Sequence, residues 1–191
     1  MTALSILGIS GSLRAASYNS AALTAARRLA PTGMKIDIYS GMDTLPHFNP
    51  DLDIEPAPSA VAALRFAVGA ADGLLIACPE YAHGIPGSLK NLLDWLVSTT
   101  EFPSKPVALI NTSPRAADAQ AALRTVLLTM SANIVERACI GLPLLGSGFN
   151  AEMIGTDQVI AGNLAAALRE FGNTIQQLRE PRSLDNPRHF P

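Results

Sequence analysis

Gly8-Ile9-Ser10-Gly11-Ser12-Leu13-Arg14-Ala15-Ala16-Ser17-Tyr18-Asn19, at the end of the apolar run 4–9, decides how the rest of the chain is read. The apolar run reads as a buried strand, the glycines let the backbone turn, and a helix is expected from about Ser17. The free amides at a helix start, with the partial positive charge of that end, attract an anion. Ser10, Ser12 and Ser17 can add hydroxyl hydrogen bonds, and Arg14 a charge-assisted one. The segment lacks both the Gly-x-Gly-x-x-Gly spacing of a dinucleotide fingerprint and the Gly-Lys-Ser/Thr ending of a nucleotide P-loop. Without that lysine and a magnesium-binding hydroxyl, phosphoryl transfer is not expected. A pocket for one phosphate, as on a mononucleotide, is what remains.

Outward from this stretch, strand and helix signals alternate. A helix over 17–30 stops at Pro31. Met34, Ile36 and Ile38 alternate with polar neighbours, which predicts a strand near a sheet edge. After a Pro- and Asp-rich loop at 40–58, an alanine-rich helix is expected over 59–68 and a buried strand over 73–78. Leu89, Leu92, Leu93 and Leu96 form one stripe of a helix over 86–97, with Pro86 in its first turn. A strand at 107–110, a helix at 117–130 and a fifth strand at 134–140 follow. Glu136 and Arg137 make that fifth strand an edge candidate. Ile160, Leu164, Leu168, Phe171, Ile175 and Leu178 then mark a long amphipathic helix. Five strands alternating with five helices predict a parallel sheet covered on both faces. If the order is 2-1-3-4-5, the loops after strands one, three and four share a crevice beyond the carboxyl ends of the strands.

The 191 residues suit one domain over 1–180 with a Pro-rich tail at 181–191. An apolar share of 48% marks a folded chain, and a formal charge of −2 offers no basic face for nucleic acid. Cys78 and Cys139 read as buried free thiols in a reducing compartment. No basic segment ahead of an apolar stretch suggests secretion, and no apolar run is long enough to cross a membrane, so a cytoplasmic protein is expected. His47, His83 and His189 are too scattered for a metal site, and no Cys/His spacing fits zinc. Gly8-Ile9-Ser10-Gly11-Ser12 lacks the last glycine of a hydrolase elbow, and His189 is badly placed to serve as its base.

The second informative loop is Pro79-Glu80-Tyr81-Ala82-His83-Gly84-Ile85-Pro86-Gly87-Ser88-Leu89-Lys90-Asn91. Its prolines and glycines give an irregular backbone able to present donors and acceptors to the edge of a flat heteroaromatic ring. Tyr81 and His83 offer planar contact surface. Equally, such a loop can be a packed turn. The two motifs in this order, together with Gly87-Ser88-Leu89-Lys90-Asn91-Leu92-Leu93-Asp94-Trp95 and Leu45-Pro46-His47-Phe48-Asn49-Pro50-Asp51-Leu52, resemble the NADPH-dependent FMN reductases. The likeness covers roughly residues 4 to 150.

That resemblance implies a flavodoxin-like three-layer α/β sandwich around a five-stranded parallel sheet, bound FMN, NADPH or NADH as co-substrate, and a homodimer or homotetramer. By position, Ser10, Ser12, Arg14, Ser17 and Asn19 would hold the FMN phosphate, with Leu13 and Tyr18 also among the cofactor-binding residues. Pro79, Glu80, Tyr81, Ala82, His83 and Gly84 would line the isoalloxazine ring, and Ser113 would meet its edge. The chain departs from the family at Ala82, where many members carry a polar residue. It departs again at Asn111-Thr112-Ser113-Pro114-Arg115-Ala116, where a glycine-containing loop is common. Arg115 there would meet either the pyridine nucleotide or nothing. Lys90 and Asp94 are spaced for an ion pair on a helix that often lies at the family's dimer interface, with Trp95 either an interface anchor or a core residue. The expected chemistry is a ping-pong hydride transfer from NAD(P)H to FMN, then to a small acceptor such as a quinone, azo compound, metal oxyanion or free flavin. No catalytic side chain is expected. A flavodoxin-type electron carrier shares fold and cofactor, but such carriers are markedly acidic. A binding module with an empty crevice is the third reading.

Overall fold

The computed structural model describes residues 3–180, so the expected tail at 181–191, with His189, lies outside the described residues. Six strands build one parallel sheet: β1 (Leu4–Ser10), β2 (Met34–Ile38), β3 (Gly73–Ala77), β4 (Pro106–Asn111), β5 (Asn133–Ile134) and β6 (Ile140–Gly141). Their order is β2-β1-β3-β4-β5, with β6 also on β4, and every pairing is parallel. Around the sheet lie α1 (Tyr18–Leu29), α2 (Ser59–Ala70), α3 (Gly87–Asp94), α4 (Ala117–Thr129), α5 (Ala151–Thr156) and α6 (Gln158–Arg179).

Alternation along the strands separates two cores. Leu7, Ile9, Leu74, Ile76, Val107 and Leu109 face α2, α3 and α4. Leu4, Ile6, Leu75, Ala77, Ala108 and Ile110 face α1, α5 and α6. This is why β3 and β4 read as continuous apolar runs: both of their faces are covered. Gly73 lets α6 settle on the sheet, because a Cβ there would stand 2.8 Å from the Phe171 ring and 2.9 Å from Ile175. The result is the flavodoxin-like three-layer sandwich, and the predicted order 2-1-3-4-5 is the observed one. The order reverses between β1 and β3, so the loops leaving these strands diverge and open a crevice.

Three expectations need correction. The fifth strand over 134–140 is two short pieces, because residues Glu136–Ala138 coil into a 3-10 turn. That turn puts Val135 and Ala138 inside while Glu136 and Arg137 stay in water, and Glu136 pairs there with Arg124. A straight strand on the sheet edge would have alternated those faces differently. Among the described residues there are six α-helices rather than five, since α5 precedes α6. Finally, α3 is shorter than 86–97: Pro86 is its N-cap, and looser turns follow Asp94. Trp95 is fully buried, a core residue.

Candidate active site

At the carboxyl ends of the strands lies a cleft of about 850 Å³, toward the upper end of the roughly 300–1,000 Å³ usual for such sites. The first wall is the β1–α1 loop. Ser17 caps α1 with an extended backbone, yet its hydroxyl makes no capping bond, and the first turn carries no acidic side chain. The first intrahelical bond runs from the Ala21 amide to the Ser17 carbonyl, so the amides of Tyr18, Asn19 and Ser20 precede it. Ser12, Arg14, Ser17, Tyr18 and Asn19 all line the cleft. Arg14 is exposed and makes no ion pair among the described residues.

Not every residue of this loop faces the cleft. Ser10 lies behind it: its hydroxyl stands 2.9 Å from that of Ser20 and accepts from the Ser12 amide at 3.3 Å. The Ser12 hydroxyl in turn accepts from the Arg14 amide at 3.3 Å. Leu13 is 57% exposed and is not part of the wall. Buried Asn19 joins α1 to the end of β4, its Oδ1 accepting from Thr112 Oγ1 at 3.1 Å. Gly11 is required by space. Its amide donates to the Ala77 carbonyl at 2.8 Å, and a Cβ would stand 2.9 Å from Leu89 and 3.0 Å from Pro79. A side chain there would push this loop away from the next.

The second wall is the β3–α3 loop. Pro79, Glu80 and Tyr81 line the cleft, whereas Ala82 and His83, the two central residues of a hairpin turn, lie outside it with the flanking Gly84. The Tyr81 amide donates to the Gly84 carbonyl at 3.1 Å, and the Gly84 amide returns the bond at 3.0 Å. Both central residues are left-handed, Ala82 at φ 49° and His83 at φ 60°, a conformation that disfavours residues with a Cβ. Glu80 Oε2 accepts the Ala119 amide at 2.9 Å in the first turn of α4, where the helix dipole favours a carboxylate. His83 Nδ1 stands 2.7 Å from Asp118 Oδ2 and 3.6 Å from Glu80 Oε1. Histidine spacing alone did not bring these three groups together. Cys78, just ahead of the loop, is buried, and desolvation with the nearby Glu80 charge pushes its thiol up to about 12. It is no nucleophile at neutral pH.

The stretch 45–53 is fastened to α3 and the turn after it, and to α2. The Pro46 carbonyl accepts from Trp95 Nε1 at 2.8 Å and from Asn91 Nδ2 at 3.0 Å. Asn91 Oδ1 accepts the Phe48 amide at 2.7 Å, and the Phe48 ring meets Trp95 edge-on at 5.0 Å. Asp53 closes the brace with Arg65 at 2.6 Å and Ser98 at 2.5 Å. Those bonds, first from Ser98 and then from Arg65, hold its carboxyl below the ordinary 3.8.

Thr112, Ser113, Arg115 and Ala116 supply the third wall. The fourth was not foreseen: Leu145, Gly148, Phe149 and Asn150 close the far side. The Gly148 amide donates to the Tyr18 hydroxyl at 3.0 Å, so Tyr18 ties this wall to α1. A sequence signal existed. Gly146 and Gly148 adopt φ of 78° and 72°, and Asn150 caps α5 by accepting from the Met153 amide.

This donor set fits a mononucleotide phosphate: an uncapped helix start, hydroxyls and a free guanidinium, with no acid in the first turn to repel it. The sequence model of the NADPH-dependent FMN reductases matches residues 4–143. An NAD(P)H-dependent FMN reductase of Pseudomonas aeruginosa is 37% identical over 154 residues, covering 78% of this chain and 83% of that protein. A quinone reductase of Escherichia coli is 30% identical over 186 residues, covering 92% and 97%. Among solved structures, the flavoenzyme NAD(P)H:(acceptor) oxidoreductase FerB of Paracoccus denitrificans superposes with a TM-score of 0.76 at 28% identity, covering 91% of this chain and 98% of that one. The chain belongs to the NADPH-dependent FMN reductase family. It is an oxidoreductase of a family that works with FMN and NAD(P)H, not a non-enzymatic carrier.

Proposed function

We propose that the cleft holds FMN with its phosphate at the start of α1, and that the chain reduces small quinone-like acceptors with NAD(P)H by a ping-pong cycle. One observation carries this: the open first turn of α1, with Ser12, Ser17 and the unpaired Arg14, faces the same cleft as Pro79, Tyr81 and Ser113. In this reading Ser12, Ser17 and Arg14 bind the phosphate. Ser10 holds the loop's shape from behind, and Asn19 fixes α1 against β4. Pro79 and Tyr81 flank the ring, while Glu80 positions α4 through the Ala119 amide.

Bound FMN would supply the hydride acceptor and donor; the side chains bind, orient and limit access by water. No acid, base or nucleophile is assigned. The acceptor class draws on relatives named quinone reductase and 2-hydroxy-1,4-benzoquinone reductase. Azo compounds, metal oxyanions and free flavin are the other acceptors to assay. We further propose one domain over 1–180, a homodimer or homotetramer, and a cytoplasmic setting. No helix among the described residues is long and apolar enough to cross a membrane.

The test is a visible spectrum of the purified protein before and after anaerobic NADPH. A yellow preparation that bleaches, and recovers on adding a quinone, supports the reading; a colourless chain that cannot be reconstituted with FMN refutes it. Ser12→Asp places a negative charge against the phosphate and should abolish FMN retention. Undiminished retention refutes the phosphate assignment.

A further inference from the structure

We infer that Arg115 anchors a phosphate group of the nicotinamide nucleotide, an inference that rests on the proposed FMN site and extends it. Two guanidiniums line the cleft: Arg14 on the β1–α1 loop and Arg115 on the β4–α4 loop. Neither forms an ion pair among the described residues. The mononucleotide brings one phosphate, and the uncapped start of α1 with Arg14 answers it. Of the reactants, the dinucleotide is the one that brings further phosphates, whereas a quinone is neutral.

Arg115 is also held ready. Its amide donates to Ser113 Oγ at 3.2 Å, and the Ala116 amide closes a turn on the Ser113 carbonyl at 3.1 Å. Pro114 stiffens that turn. Asp118, the nearest carboxylate in the sequence, and Glu80, which lines the same cleft, are engaged elsewhere, Asp118 with His83 at 2.7 Å and Glu80 with the Ala119 amide at 2.9 Å. Arg115 is therefore an uncompensated, exposed cation on a rigid turn at the rim of the cleft. Its planar fork matches phosphate oxygens in pairs.

The test uses the FMN-loaded protein and its Arg115→Ala and Arg115→Lys variants, titrated calorimetrically with NADP+ and NAD+. Arg115→Ala should weaken binding by about tenfold, the worth of one charge-assisted contact. Arg115→Lys should recover part of the loss. A loss for NADP+ alone assigns the 2′-phosphate, and an equal loss for both nucleotides assigns the pyrophosphate; either supports the inference. Unchanged affinity for both overturns it while leaving the FMN site standing. Loss of FMN from Arg115→Ala also overturns it, because Arg115 would then serve the flavin. If the unaltered chain takes up no FMN, the functional reading itself falls and this inference with it.

Discussion

The two loops that meet at Gly11 solve opposite problems. The β1–α1 loop leaves donors unused: the Ser17 hydroxyl, the first-turn amides of α1 and the Arg14 guanidinium. In the β3–α3 loop, by contrast, the Glu80 carboxylate, the His83 ring and the backbone of the turn are already engaged within the protein. Glu80 bonds the α4 backbone, Tyr81 and Gly84 bond each other, and beyond the loop Asn91 of α3 and Trp95 hold the Pro46 carbonyl. The comparison teaches where ligand energy goes. A phosphate can claim the free donors of the first loop without displacing internal bonds, whereas the second loop presents a surface whose shape is already set.

Breaking the braced side has the largest expected effect. Trp95→Ala removes a fully buried ring and the Nε1 bond to Pro46, and should cost roughly 3–5 kcal/mol in chemical denaturation. Gly11→Ala strikes where the loops touch. Its Cβ would crowd Leu89 and Pro79, so a loss of about 1–3 kcal/mol is expected, with weakened FMN binding measured alongside.

Asp53→Asn loosens the outer brace, and its effect depends on pH. The Asp53 carboxyl ionises more readily folded than unfolded, so its contribution is complete above the ordinary 3.8 and vanishes as pH falls through the lower folded value. Thermal melts should show a lower Tm for Asp53→Asn at pH 7 and a shrinking gap below pH 3.8. The smallest effect sharpens the contrast. Ala82→Gly relieves a left-handed residue at φ 49° and should stabilise the fold by up to about 1 kcal/mol without changing FMN affinity.

Much of this architecture was legible in the residues. The runs 4–9, 73–78 and 107–110 are apolar on both faces and so had to be central strands, and alternation placed Met34–Ile38 at an edge. What local pattern could not give was anything decided across the fold. Glu136 and Arg137 read as the mark of an edge strand, but the chain there coils into a 3-10 turn that leaves both in water. Glu80 reads as a ring-lining residue, and only the approach of α4 reveals its bond to Ala119. Pro46 and Phe48 meet Asn91 and Trp95 across more than forty positions, beyond the reach of any periodicity. The far wall at 145–150 had a signal in its paired glycines, though it gains meaning only through Tyr18.

Binding of FMN and of riboflavin to the flavin-free chain, followed by quenching of flavin fluorescence, tests the phosphate site most directly. The two ligands differ only in the phosphate. The account predicts FMN tighter by about a hundredfold or more, the worth of a few charge-assisted hydrogen bonds at a helix start. Equal affinities would contradict it.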